Sequence, residues 1–208
     1  MKRFLIYGGS FDPPHFGHIK TACTVQQKLA FDKFIFVPCK QSVLKTKSVA
    51  TSEQRLHMLK LALAPYSCFN FEIDTREFDR DTPSFMVDTL ESFQKEYKHN
   101  ASFTLLLGMD AFLELPQWHQ WKKILTLCDL LIMQRRGSDE PKAIPYSLKK
   151  ILDTSSYMFN FFEAGHYPIA SSILREHIKT NQKLKKDLLP EAVYDYIITH
   201  QLYQTTSA

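Results

Sequence analysis

Two histidines three residues apart follow a pair of glycines at the end of a short apolar run near the start of the chain. The glycines are Gly8 and Gly9, and His15 and His18 come after a loop with two adjacent prolines. Glycine lets a backbone and a ligand approach each other closely, and a spacing of three places both rings on one face of a helix. Because the free N–H groups at a helix N-terminus attract anions, this segment predicts a phosphate-binding site.

Two rival interpretations of the histidine pair stay open. One histidine could simply cap the helix, or the pair could ligate zinc, although no companion Cys or His pair stands at ligand spacing. The chain also has no Gly-x-Gly-x-x-Gly after the apolar run and no Walker lysine at the end of the loop. Those absences argue against hydride transfer and against P-loop chemistry.

A second group of phosphate-binding residue types lies near the C-terminus. Ser171 and Ser172 stand where a helix is predicted to begin, and Arg175 follows one turn later on the same side. Hydroxyls, backbone N–H groups and a guanidinium can together hold phosphate oxygens. An ordinary serine cap with a surface arginine is the alternative interpretation.

Two further segments suit the polar groups of a small ligand. Gly108 and Asp110 end an apolar run, where an aspartate can accept hydrogen bonds from ribose hydroxyls or else cap the next helix. Pro83 and Ser84 begin an amphipathic helix, whose first N–H groups can bind a carboxylate.

Short apolar strands alternate with helical patterns along the chain. The strands are predicted at 3–8, 34–37, 69–73, 103–107, 130–133 and 157–162, and the helices at 18–29, 52–64, 84–97, 118–127, 171–179 and 191–200. Thr51 and Gln54 form a capping-box signal, and 137–150 is predicted to be a surface loop. This alternation predicts one α/β domain over residues 1–208, with a doubly wound, mostly parallel sheet and C-terminal helices.

Composition narrows the class of protein. The 208 residues are 44% hydrophobic, enough for a full core, and the net charge of +4 suits phosphorylated substrates better than nucleic acid. The four cysteines form no Cys-x-x-Cys pair, which favours free thiols in a reducing compartment. No apolar run is long enough to cross a membrane or to serve as a signal peptide. A cytoplasmic protein without nucleic-acid or membrane partners is therefore expected.

The segment 9–18, Gly-Ser-Phe-Asp-Pro-Pro-His-Phe-Gly-His, resembles the signature of the nucleotidylyltransferase superfamily, and its double proline is similar to the nicotinate mononucleotide adenylyltransferase branch. Segment 169–175 resembles the Ile-Ser-Ser-Thr-x-Ile-Arg motif of that family, with Ala170 in place of the first serine. The resemblance extends over residues 2–203 and implies a Rossmann-like fold. It implies ATP binding by Gly8, Gly9, Ser10, Phe11, His15, His18, Ser171, Ser172 and Arg175, with His15, His18 and Arg175 as catalytic residues.

The substrate end resembles the same branch. Segment 82–90 is similar to a Pro-Ser-Tyr-Thr-x-Asp-Thr-Leu motif, which implies recognition of the nicotinate carboxylate by the main chain around Phe85 and Met86. Trp118 matches a tryptophan that stacks on the pyridine ring. The substrate-binding residues implied in this way are Lys45, Phe85, Met86, Gly108, Asp110, Trp118 and Arg136.

The implied reaction is adenylyl transfer from ATP to nicotinate mononucleotide, with Mg²⁺ carried by the ATP phosphates and no metal ligands from the protein. Protonated histidines would serve this reaction best, and a nearby triphosphate is expected to raise the pKa of both rings. The alternatives are another adenylyl- or cytidylyltransferase of the superfamily, for example one acting on phosphopantetheine, and a non-catalytic nucleotide sensor. The sequence leaves open the choice between nicotinate and nicotinamide mononucleotide, and it is compatible with a homo-oligomer.

Overall fold

Six parallel strands form one sheet in the computed structural model, which describes residues 1–41, 49–134, 144–154, 159–163, 165, 167, 169–180 and 187–204. The strands are β1 (Lys2–Gly9), β2 (Lys33–Pro38), β3 (Phe71–Ile73), β4 (Ala101–Gly108), β5 (Asp129–Gln134) and β6 (Phe159–Glu163). Their order is β3-β2-β1-β4-β5-β6, and every neighbouring pair is parallel.

Helices cover both faces of this sheet. They are α1 (Phe16–Leu29), α2 (Ser52–Leu63), α3 (Met86–Tyr97), α4 (Met109–Glu114), α5 (Trp121–Leu127), α6 (Tyr146–Thr154), α7 (Ser171–Lys179) and α8 (Glu191–Thr199). Successive residues of a strand point to opposite faces, so in β1 Leu5 packs in the cluster that holds α1, α2, α7 and α8. Phe4 and Ile6 pack in the cluster that holds α3, α4 and α5. This is why β1 is a continuous apolar run rather than an alternating one.

The architecture is Rossmann-like, as the sequence predicted, and the sheet of the described residues is entirely parallel. The capping box is also confirmed, because the Gln54 N–H donates to Thr51 Oγ1 at 3.2 Å and the Thr51 N–H donates to Gln54 Oε1 at 2.9 Å. The strand predicted from residue 69 begins at Phe71, since the N–H of Phe69 closes a turn on the Tyr66 carbonyl.

One predicted loop is partly wrong. Residues 137–143 lie outside the described part of the chain, but 146–150 form the first turns of α6 instead of a surface loop. The reason is apolar spacing, because Leu148 is fully buried and Ile151 packs against the same core cluster. Polar and proline signals nearby concealed this short amphipathic pattern.

The C-terminal segment returns to the loop between β1 and α1. Val193 and Ile197 of α8 belong to the same core cluster as α2. Beyond this helix, the hydroxyl of Tyr203 donates to Asp12 Oδ1 at 2.6 Å, and both side chains are buried. No helix in the described ranges has the length and apolar character needed to cross a bilayer.

Replacing Tyr203 by Phe is expected to lower the free energy of unfolding by about 1.5–3 kcal/mol, because a buried carboxylate loses a hydroxyl donor. Denaturant unfolding of the Tyr203→Phe variant measures this. Tyr194→Phe is the control, because that side chain is 39% exposed and its loss of a hydroxyl should change stability by less than about 0.5 kcal/mol. Equal stability of the two variants would contradict the proposed contribution of Tyr203.

Candidate active site

The two histidines meet at the start of α1. His15 occupies the N-cap position, and its N–H donates to Nδ1 of His18 at 3.2 Å. The rings are stacked with centroids 3.7 Å apart. The structure therefore brings the predicted pair together. The capping interpretation is also confirmed, because His15 is the N-cap residue of α1 and the His18 side chain accepts its backbone N–H. A role on phosphate stays a prediction.

The protonation of the pair follows from these contacts. Because Nδ1 of His18 accepts a hydrogen bond, a neutral His18 ring carries its proton on Nε2. His15 is only 4% exposed, and burial lowers its pKa to about 4. His15 is therefore neutral at pH 7 in the protein without nucleotide, and the protonated form expected beside a triphosphate stays a prediction. A triphosphate beside the ring would have to overcome this burial.

Gly17 lies between the histidines and was not among the predicted site residues. A Cβ atom at this position would lie 2.8 Å from Nδ1 and 2.9 Å from Cε1 of His15, closer than real Cβ contacts. It would also lie 3.5 Å from Cβ of Ile169. A side chain here would push the buried His15 ring away, so the position requires glycine. The only signal in the sequence is a glycine between two candidate phosphate ligands.

The start of α7 is clamped to the histidine loop. The hydroxyl of Ser171 donates to the Pro13 carbonyl at 2.9 Å, and Nη1 of Arg175 donates to the Asp12 carbonyl at 2.6 Å. The N-cap residue is Ala170, so the alternative of a serine cap is wrong. Ser172 is exposed. The structure thus places the second predicted group beside the first, with two of its side chains holding the loop.

Asp12 and Arg55 are buried polar residues that support this loop and were missed as site residues. The Asp12 carboxylate accepts the N–H groups of Val49 and Ala50 at 3.0 and 3.3 Å, in addition to the hydroxyl of Tyr203. The guanidinium of Arg55 is 1% exposed and donates to the carbonyl of Ser10 at 2.8 Å. Nothing in the spacing of the sequence indicates these contacts, because each joins residues far apart in the chain.

Phe11 was predicted to bind ATP, but its side chain is 1% exposed and belongs to the core. Its ring lies 5.7 Å from that of Tyr7 and 5.1 Å from that of His18, measured between centroids. The Phe11 ring therefore packs against His18. Contact with a nucleotide would be limited to the Phe11 backbone.

A cleft of about 660 Å³ opens at the carboxyl ends of the central strands. It is lined by eight of the predicted residues: Gly8, Gly9, Ser10, Phe85, Met86, Gly108, Asp110 and Trp118. The structure thus joins the glycine segment predicted for ATP with the segments predicted for the substrate. Lys45 and Arg136 lie outside the described residues.

The geometry of the cleft refines three of these predictions. Gly108, not Asp110, is the N-cap residue of α4, so Asp110 does not cap that helix, and it lines the cleft. A Cβ added to Gly108 would meet no atom within 4 Å, so this glycine leaves the cleft open. The Phe85 N–H is bonded to the Pro83 carbonyl at 2.8 Å. The predicted main-chain recognition of a carboxylate at α3 therefore falls first on Met86, whose N–H has no intrahelical acceptor.

Glu77 and His119 also line the cleft and were not predicted. The His119 ring lies over Phe85 with centroids 4.3 Å apart, which makes Phe85 part of an aromatic wall near Trp118. Within the described ranges, no three His, Cys, Asp or Glu side chains are grouped so as to hold a metal ion.

Fold and site together define a nucleotide-binding α/β protein, and a comparison with family models agrees. The cytidylyltransferase-like model matches residues 6–177, and the chain belongs to this family. A probable nicotinate-nucleotide adenylyltransferase of Legionella pneumophila (strain Lens) is 46% identical in a match that covers 98% of this chain and 100% of that protein. A second one, from Methylococcus capsulatus, is 36% identical in a match that covers 95% of this chain and 98% of that protein.

Solved structures are similar in fold. The nicotinic acid mononucleotide adenylyltransferase of Plasmodium falciparum, complexed with NaAD, superimposes with a TM-score of 0.76 at 21% identity. The match covers 98% of each chain. At this identity the likeness concerns the fold.

Replacing Gly17 by Ala is expected to lower the free energy of unfolding by about 1–2 kcal/mol, because the new methyl overpacks against the buried His15 ring. Gly108→Ala adds the same methyl into open space, so it should leave stability within about 0.5 kcal/mol of the wild type. Denaturant unfolding of both variants measures the difference. Full stability of Gly17→Ala would show that the ring can move without cost.

His15 is expected to make the protein sensitive to acid. Burial lowers its pKa from 6.5 to about 4, so between these pH values the unfolded chain binds a proton that the folded protein does not. The contribution of His15 to the free energy of unfolding is fully present above pH 6.5, and it falls by about 3 kcal/mol as the pH decreases to 4. The free energy of unfolding of His15→Gln should fall less over this range, whereas the exposed His99→Gln should follow the wild type. Parallel curves for all three would contradict the assignment.

Proposed function

We propose that this protein transfers the adenylyl group of ATP to nicotinate mononucleotide, forming deamido-NAD and pyrophosphate in NAD biosynthesis. The observation that carries the proposal is the cleft that joins the glycine segment of β1 to the start of α3, Asp110 and Trp118. The names of the Legionella and Methylococcus relatives, at 46% and 36% identity, support the same reaction. So does the Plasmodium structure, which is a complex with NaAD.

The reaction needs positioning and charge stabilisation more than covalent chemistry by the protein. The phosphate of the mononucleotide attacks the α-phosphorus of ATP in line, and pyrophosphate leaves. His18 donates from Nε2 to the phosphate oxygens, and the first N–H groups of α1 add the positive end of a helix dipole. The His15 ring is neutral before ATP binds and gains charge only if the triphosphate offsets its burial. The backbone N–H of His15 holds the His18 ring through Nδ1.

The start of α7 holds the leaving group in this proposal. Arg175 carries five donors, so it can keep its bond to Asp12 and still contact the β- and γ-phosphates. Ser172 is exposed at the second position of α7 and offers its hydroxyl and N–H to the same oxygens. Ser171 is engaged with Pro13, so we assign its contribution to positioning the loop and to its backbone N–H.

The pyridine ring of the mononucleotide is placed on the side of the cleft formed by Phe85 and Trp118. Trp118 and Phe85 provide aromatic surface for the pyridine ring, and Asp110 accepts hydrogen bonds from ribose. The Met86 N–H, at the uncapped start of α3, donates to the nicotinate carboxylate. Lys45 and Arg136 are retained as substrate contacts on the family resemblance alone.

Mg²⁺ would enter with ATP and neutralise its phosphate charge. No grouping of acidic or histidine side chains in the described residues forms a protein cage for it. Phosphate oxygens and water, the usual ligands of nucleotide-bound magnesium, are therefore its expected ligands here. A single domain and a cytoplasmic location also remain part of this proposal, together with compatibility with a homo-oligomer.

The direct test is pyrophosphate release from ATP and Mg²⁺ with nicotinate mononucleotide, nicotinamide mononucleotide or phosphopantetheine as acceptor. We expect the fastest release with nicotinate mononucleotide. Faster release with phosphopantetheine would assign another branch of the superfamily, and binding of ATP without release for any acceptor would indicate a nucleotide sensor.

His18→Ala is expected to lower kcat by about a hundredfold, because a donor aimed at charge that develops in the transition state is lost. KM for nicotinate mononucleotide should stay within about threefold of the wild type, since His18 acts on the phosphates of ATP. Steady-state kinetics measure both, with the exposed His99→Ala as control. An unchanged kcat would remove His18 from the catalytic role.

A further inference from the structure

Glu77 is a buried acid in the cleft for which the proposed reaction has no use. Its side chain is 2% exposed, and the residue lines the cleft together with Phe85 and Met86. A buried carboxylate is costly unless it is well hydrogen-bonded, so its partners indicate what it does.

The observed hydrogen-bond partner lies on the first turn of α3. The hydroxyl of Thr89, itself fully buried, donates to Glu77 Oε1 at 2.6 Å. Ser84, two residues before the helix, lies near the same carboxylate and acts to lower its pKa. Thr89 is the fourth residue of α3, so the Glu77 carboxylate holds the first turn of that helix.

A second layer of contacts fixes this arrangement. Nη1 of Arg80 donates to Thr89 Oγ1 at 2.8 Å, and its Nη2 donates to the Asp88 carbonyl at 3.3 Å. The N–H of Lys40, just after β2, donates to Ser84 Oγ at 2.9 Å. The Lys40 contact ties the segment before α3 to the end of β2, and Arg80 places a positive charge behind the Thr89 hydroxyl.

The charges around Glu77 also suit a neighbouring anion. The pKa of Glu77 is raised above its usual value, chiefly by burial and also by Asp74, while Thr89, Ser84 and the charge of Arg80 act in the opposite direction. A carboxyl group with a raised pKa that accepts the Thr89 hydroxyl repels a bound anion less than a bare carboxylate.

We propose that Glu77 is a positioning residue that, through Thr89, orients the first turn of α3 and so sets the preference for a carboxylate over a carboxamide on the pyridine ring. This role rests on the proposed function. A turn that presents N–H donors matches both oxygens of a carboxylate, whereas a carboxamide brings its own N–H donors and leaves groups unpaired. Loosening the turn would weaken carboxylate binding more than carboxamide binding.

The test compares Glu77→Ala and Glu77→Gln with the wild type, using nicotinate and nicotinamide mononucleotides at saturating ATP. In Glu77→Ala we expect KM for nicotinate mononucleotide to rise about tenfold and the kcat/KM ratio of the two substrates to fall about tenfold. The kcat value and the KM for ATP should stay within about twofold of the wild type. Glu77→Gln should stay within about threefold, because its Oε1 still accepts from Thr89.

Two further variants complete the design. Thr89→Val removes the hydroxyl that reaches Glu77 at similar volume, so it should shift the substrate ratio in the same direction and provides the answer if Glu77→Ala does not fold. Glu91→Ala, on α3 with its side chain 45% exposed and paired with Lys123, is the matched control and should leave the ratio unchanged.

The outcomes separate this role from the proposed function. A folded Glu77→Ala or Thr89→Val enzyme with an unchanged substrate ratio, or with equal losses toward both mononucleotides and ATP, would overturn the positioning role and leave only a structural one. Wild-type protein that uses neither mononucleotide would overturn the proposed function and, with it, this role.

Discussion

The buried carboxylate of Asp12 is the contact on which the arrangement of the site depends. It accepts hydrogen bonds from the Tyr203 hydroxyl and from the N–H groups of Val49 and Ala50, while the backbone carbonyl of Asp12 accepts from Arg175. One residue of the histidine loop thereby joins the segment before α2, helix α7 and the C-terminal segment. Buried carboxylates are stable only with such a set of donors, so the loop and its supporting elements are expected to order together.

The position of the cleft follows from the topology of the sheet. The chain runs outward from β1 through β2 to β3 and then returns to the other side of β1 with β4. Helices that follow β1 and β4 leave the sheet on opposite faces, which opens a crevice at their carboxyl ends. The glycines at the end of β1 and Gly108 at the end of β4 both line it. Backbone near a ligand is thus provided from both sides, and the α3 turn held by Glu77 lies against the same crevice.

Much of the fold and part of the site could be predicted because their signals are local. Continuous apolar runs indicate strands buried on both faces, and the Thr51 capping box marks the start of α2. Because His15 and His18 are three residues apart, their rings lie on one face when a helix begins at residue 16. These features depend only on neighbours within about one helical turn, so the order of residues is sufficient to determine them.

The sequence by itself therefore determined the strand–helix alternation, the parallel sheet and the pairing of His15 with His18. Only the tertiary structure decided that His15 is buried and neutral, that Gly17 has no room for a Cβ atom, and that Glu77 lies in the cleft. It also decided that Arg175 holds Asp12 across 163 positions of the chain. Burial and long-range hydrogen bonds arise from segments brought together by packing, and no periodicity in the sequence encodes them.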